Sequence, residues 1–278
     1  MAYPTVSAPY GLKPVNLIGG QVFSGSTRQL PIQYGYATSI FYGDFVNLTQ
    51  GFVNRQSVST GGGASGMVGI FLGCNYTDPV TKQKRFSQYW PASTLAGDAQ
   101  AVVCDDPDTV FKAVVCSSGT TVASASIPMI GQNYQMINNT GNVNTGDSAN
   151  ALLYSATLTT STFPIRVVDI VRDTAQSYSA VGSSSTTTIT MTTGPNGNVL
   201  QGADVAYLAT NGQLIETGSF VTAAISAGAT SGTLNVAPAV PGGVTAIPSA
   251  STIVFTNYPE VLVKLNFGIH EYYTATAV

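Results

Sequence analysis

The sequence predicts an all-β protein: a small β-barrel or sandwich body, an extended N-terminal arm and an inserted β-sandwich-like domain. Three observations carry that expectation. Apolar runs are short and punctuated by turn residues, with 29 Gly and 14 Pro among 278 residues, which is the spacing of strands. Charged residues make up 8% and hydrophobic residues 44%, whereas ordinary soluble domains carry about a quarter charged residues. No 3.6-residue apolar pattern persists long enough for a long helix. The length suits about two domains of ordinary size, and the apolar fraction suffices for packed cores.

Residues 1–34 read as the arm. Pro4, Pro9, Pro14 and Pro31 disfavour helix, and Gly19-Gly20 interrupts the run. Tyr3, Tyr10, Leu12, Val15, Leu17, Ile18, Val22 and Phe23 supply apolar anchors that such an arm cannot bury by itself. It must lie on its own body or on a neighbour. Residues 35–175 read as a barrel or sandwich. A turn at Tyr42-Gly43-Asp44 opens a strand, and a second strand starts at Gly51-Phe52-Val53. Gly66 to Gly73 suits a buried strand, followed by a hairpin that ends at Phe86–Trp90. Ala99–Cys104 and Val110–Val115 flank the turn Asp105-Asp106-Pro107-Asp108. Residues 127–137 suggest a short helix or strand, and the polar stretch Asn138–Asn150 an exposed loop. Phe163–Val171 closes this domain.

Between Asp173 and Glu260 the only charged side chains are Asp204 and Glu216. Thr/Gly-led strands there alternate with Pro/Gly turns, so residues 176–258 read as a separate β domain. The alternation of Val167–Val171 resembles that of Val261–Phe267. These two strands are expected to share one sheet, with the module inserted between them at a site where chains tolerate insertion.

The raw material of catalysis is scarce. The net charge is −3 with a single histidine, which argues against a nucleic-acid partner that must neutralise phosphates. Lys82, Lys84 and Arg85 form the one basic cluster, read as a solvated hairpin tip. Cys74, Cys104 and Cys116 lack metal-site spacing and are expected to be buried, reduced thiols. Asp44 with Asp105, Asp106 and Asp108 could be imagined as a cation site, but the Asp-Asp-Pro-Asp run is a strong turn signature. His270 is expected to make a structural hydrogen bond. Gly61-Gly62-Gly63 lacks the rest of a phosphate loop. No catalytic residue, cofactor or metal is expected, and no membrane contact either, since no apolar run is long enough for a spanning helix. The start lacks the pattern of a secretory signal, so synthesis in a cytoplasm is expected. The 14 tyrosines, several near the termini, suit interfaces as well as barrel packing.

Several stretches carry a resemblance. Ala2-Tyr3-Pro4-Thr5-Val6-Ser7-Ala8-Pro9-Tyr10-Gly11-Leu12-Lys13-Pro14-Val15, Ile40–Val46, Val68–Gly73, Trp90-Pro91-Ala92, Asp105-Asp106-Pro107, Phe163–Val168 and Val261–Asn266 resemble structural proteins of tailed, especially marine, bacteriophages. Gly-Asp-x-Val followed by Val-Gly-Ile-x-x-Gly is similar to the small barrel of capsid decoration (cement) proteins. The resemblance covers residues 1–175 and 259–278, and implies a non-enzymatic virion protein on the outer surface of an HK97-like capsid. Its expected partners are the major capsid protein and further copies of itself, as dimer or trimer. The expected contacts are Tyr3, Pro4, Tyr10, Leu12, Val15, Leu17 and Phe23. The rival expectations are the major capsid protein itself, which would need a long spine helix, and a tail-fibre, depolymerase or adhesin-type host-recognition protein.

Overall fold

A computed structural model describes residues 6–56, 66–154, 161, 163–185, 187–235 and 246–273. Over these residues the protein is nearly all-β, with two single-turn 3-10 segments at Ile127–Met129 and Phe267–Ile269. The first seven strands are β1 (Lys13–Leu17), β2 (Arg28–Pro31), β3 (Phe45–Thr49), β4 (Phe52–Arg55), β5 (Gly69–Thr77), β6 (Lys84–Ser87) and β7 (Gln100–Cys104). Next come β8 (Thr109–Ser118), β9 (Thr121–Val122), β10 (Asn133–Tyr134), β11 (Met136–Ile137), β12 (Ala151–Leu153) and β13 (Ile165–Ile170). The last seven are β14 (Gln176–Ser184), β15 (Thr188–Thr193), β16 (Asp204–Leu208), β17 (Leu214–Phe220), β18 (Ser231–Thr233), β19 (Ser251–Asn257) and β20 (Glu260–Leu265).

The body expected over residues 35–175 and 259–278 contains two sheets, each with a main core. The first runs β2-β7-β5-β3-β4, with β6 on β5. A parallel bridge between Ile32 and Val53 joins its two end strands, so this sheet curls into a small closed barrel. Closure removes the exposed edges that an open sheet would present. Trp90 fills its centre, edge-on to Tyr76 at 5.4 Å, among Val46, Val68, Phe71 and Val103. The second sheet runs β10-β13-β20-β8-β12-β11, with β1 and β9 also on β8. Its main core holds Phe111, Val115, Leu152, Ile165, Val167 and Val263, and takes in Phe45, Met67 and Ile70 from the barrel. Barrel and second sheet therefore share one apolar mass.

The chain leaves β13, builds the third sheet, and returns as β20. β13 and β20 pair antiparallel, Val167 opposite Val263, so the two alternating strands do share a sheet. The third sheet runs β17-β16-β19-β14-β15-β18. It has its own core of Ile189, Val205, Val221, Ile253 and Phe255. A bridge between Val221 and Leu234 draws its end strands together as well.

The N-terminal segment is not set apart from the body. From Tyr10 onward it is woven into the second sheet, with Lys13 opposite Lys112 in the β1–β8 pair. Leu12 is fully buried in the main core. Gly11 and Gly43 cross at the backbone, and Leu12 N–H donates to the Gly43 carbonyl at 3.1 Å. A Cβ built on Gly11 would sit 2.7 Å from Ser148 Cβ and 2.9 Å from the Gly43 oxygen. Both glycines have positive φ, the region that disfavours other residues. The segment expected as an arm in PPII or edge-strand conformation contains two strands of the body, with Pro14 in β1 and Pro31 in β2.

Candidate functional site

Two clusters of polar side chains organise the molecule. The first is buried. Asp44 is fully enclosed. Its Oδ1 accepts from Ser148 Oγ at 2.6 Å and Asn150 Nδ2 at 2.9 Å. Its Oδ2 accepts from Phe41 N–H at 2.9 Å and lies 2.8 Å from Arg55 Nε. Arg55 reaches on to Asn138 Oδ1 and the Asn139 carbonyl. Burial pushes the Asp44 carboxyl up, while Arg55 and the hydrogen-bond donors pull it back. The stretch expected as an exposed loop, Asn138–Asn150, is thus half-buried and supplies Ser148 and Asn150 to this network. The network locks the barrel to the second sheet beside the Gly11–Gly43 crossing. Asp44 itself is sealed from solvent, while Ser148 also borders an open surface pocket with Pro9, Tyr10 and Asp147.

The second cluster surrounds the Asp105–Asp108 turn. Asp106 makes it a turn: its Oδ1 accepts Asp108 N–H at 2.9 Å, and its carbonyl accepts Thr109 N–H at 3.2 Å. Asp105 Oδ2 accepts Tyr272 O–H at 2.9 Å and pairs with Arg28 Nε at 2.8 Å. The Asp108 carbonyl accepts Ile18 N–H at 2.9 Å, and its carboxylate lies 3.8 Å from Lys264 Nζ. Four stretches of chain therefore meet at one turn: residues 16–22, Arg28, Lys264 and the C-terminal run from Phe267 to Tyr273.

His270 belongs to this cluster. It is fully buried. Its Nδ1 accepts Tyr272 N–H at 3.3 Å, which leaves Nε2 to donate to the Asp105 carbonyl at 3.2 Å. Burial lowers its pKa, so the ring is neutral near pH 7. With both nitrogens engaged, it serves as a structural pin. Among the described residues no group of three or more potential metal ligands gathers, and the Asp105–Asp108 carboxylates hold side chains and backbone instead.

Around this turn exposed apolar and aromatic side chains lie among charged ones, Arg28 and Asp108 foremost. Residues 16–22 form a small hairpin, with Leu17 N–H on the Gln21 carbonyl at 2.8 Å and a bridge between Asn16 and Val22. Its side chains Ile18 and Val22 are exposed, Val22 to 80%, as is Val15 just before it in β1. Phe267 and Tyr273 stack at 4.1 Å and remain about half exposed, at 55% and 51%. The Arg28 guanidinium lies 5.4 Å from the Tyr272 ring centre.

The expected contact residues divide accordingly. Val15 is exposed on this surface. Leu17 and Phe23 are half-buried, Phe23 packing against the main core. Leu12 is enclosed by its own chain and cannot be a contact in this fold. Tyr10 O–H donates to the buried Glu260 carboxylate, and its ring lies beside Lys13 and Lys112 at 5.0 and 5.7 Å. Tyr10 is therefore a clasp within the molecule. Tyr3, Pro4 and the Gly61-Gly62-Gly63 run lie outside the described residues. Sequence reasoning missed Phe267, Arg28 and the Glu260 clasp, because only the fold brings them to these partners. Cys74, Cys104 and Cys116 are buried free thiols, as their apolar surroundings suggest.

Comparison with protein-family models, with curated proteins and with solved structures finds no match to this chain.

Proposed function

We propose that this chain is a non-enzymatic virion structural protein that binds and stabilises an HK97-like phage capsid from outside, as a decoration protein. The observation that carries the reading is the rim around the Asp105–Asp108 turn: Val15, Ile18, Val22, Phe267 and Tyr273, with Arg28 and Tyr272 beside them. Exposed aromatic, aliphatic and Arg side chains held on rigid backbone are what interface anchors are made of. The resemblance of the Tyr10–Val15, Ile40–Val46 and Asp105–Pro107 stretches to phage structural proteins supports the same reading. Its partners are then the major capsid protein and, on the lattice, further copies of itself. Binding only the assembled shell stabilises that shell by mass action.

The test is co-sedimentation with HK97-like shells that lack the protein. Wild type should pellet with shells, and Val22→Asp combined with Phe267→Ala should pellet less by at least about tenfold, the effect of roughly 1.4 kcal/mol. Neutralising Lys82, Lys84 and Arg85 should matter less, since Lys84 and Arg85 already pair with Asp98 and Asp78. No attachment by wild type, or equal attachment by the rim variant, would remove the reading.

A further inference from the structure

The third sheet meets the body along a seam that contains a poorly solvated carboxylate. Gly202 crosses the Ser124 backbone so closely that a Cβ on it would lie 2.1 Å from the Ser124 oxygen. Ser124 N–H donates to the Gln201 carbonyl at 2.7 Å. Phe220 at the end of β17 enters the main core and meets Tyr154 edge-on at 6.3 Å. In the middle of these contacts Asp204, the first residue of β16, is 8% exposed. Its Oδ2 accepts one hydrogen bond, from Ile127 N–H at 3.2 Å. Among the described residues no Lys or Arg makes an ion pair with it.

We propose that this seam is a proton-controlled joint, tight while Asp204 is protonated and loosened when Asp204 carries charge. An ionised carboxylate has room for about four hydrogen bonds; here one is supplied. Glu216 on the adjacent β17 adds like charge. The other titratable groups facing the site are phenols: Tyr154, with Tyr134 behind it, and Tyr258, near Arg172. The Tyr154 hydroxyl is buried and makes no hydrogen bond, so it does not supply the ionised carboxylate with a donor. Burial is the main cause that raises the Asp204 carboxyl to about 7, with Glu216 adding to it and Ile127 N–H opposing. The sign follows from linkage. The closed seam holds a proton that an opened, solvated Asp204 releases at ordinary carboxylate pH. Closure is therefore most favourable at acidic pH and weakens as pH rises towards about 7.

The test is hydrogen exchange on the full-length protein at about pH 5 and about pH 8, comparing wild type with Asp204→Asn at each pH so that intrinsic exchange chemistry cancels. Relative to the variant, wild-type protection of Ser124–Ile127 and Gly202–Val205 should fall at least about tenfold between the two, the effect of one pKa unit. Amides of β5 and β7 in the barrel should not follow. Equal pH response in wild type and variant would overturn the proposal. Should Asp204→Asn fail to fold, carbon-detected NMR of the Asp204 carboxyl in wild type decides: a midpoint near 7 supports the joint, and one below about 5 overturns it.

Discussion

At the scale of single residues, the molecule depends on close backbone approaches and a few buried charges. Leu12 is fully buried, so Leu12→Ala should cost about 2–5 kcal/mol, whereas Val22→Ala should leave stability within about 0.5 kcal/mol. Gly11→Ala places a methyl group into Ser148 and the Gly43 carbonyl at a positive φ, and should lower the melting temperature more than Leu12→Ala does. Denaturant and thermal melts check all three. Asp44→Ala should cost about 3–5 kcal/mol, because it strands Arg55 in a buried site; Arg55 is the only cation paired with Asp44 among the described residues. The sequence shows why only part of this was legible. Gly43-Asp44 reads as a turn from its chemistry alone, as does Asp105-Asp106-Pro107. That Asp44 would meet Ser148 and Asn150 is a matter of register over a hundred residues, and an Asn-rich polar run looks the same whether it faces water or a buried carboxylate.

At the scale of elements, periodicity identified strands well and their partners poorly. β13 and β20 were legible because both alternate cleanly and a compositional break separates them. β1 was not, because Pro14 breaks the pattern and a bulge between Pro14 and Asn16 shifts its register on β8. The third sheet has its own core, yet Phe220 and Gly202 seat it on the body. Excising residues 176–257 and joining the ends with a Gly-containing turn should therefore leave β13 and β20 able to pair, but with Tyr154 uncovered and stability reduced. The loss of Phe220 packing alone is worth roughly 3–5 kcal/mol by analogy with Phe→Ala in cores. A melt of the excised protein checks this: an unchanged midpoint would mean that the seam adds no stability to the body.

At the scale of the whole molecule, two properties follow from enclosure and low charge. Cys74 and Cys116 are desolvated, and burial pushes both thiols up to about 12; Cys104 is raised for the same reason. Since the thiolate is the reactive form, none of the three should react with iodoacetamide at about pH 8 until the protein unfolds, when mass spectrometry should find all three alkylated. On the proposed reading, shell attachment through the rim should likewise change little when salt is raised several-fold. Screening acts mainly on exposed charges separated by more than about 8 Å at physiological ionic strength. Release from shells by moderate salt would show that charge holds the protein there.

The crossing of Gly11 and Gly43 also bears on how the protein comes into being. A ribosome delivers Tyr10–Leu17 well before their partners, β8 and then Glu260. The Glu260 carboxylate that clasps Tyr10 lies 250 residues downstream. The barrel of residues 28–104 can close while the chain is still growing, and the third sheet can follow. β1 can pair with β8 once residues 109–118 have emerged, but the Tyr10 clasp must wait for β20. Contacts so distant along the chain make folding slow, so Tyr10 is among the last side chains to find its place, and the apolar side chains around it stay open to misassociation until then.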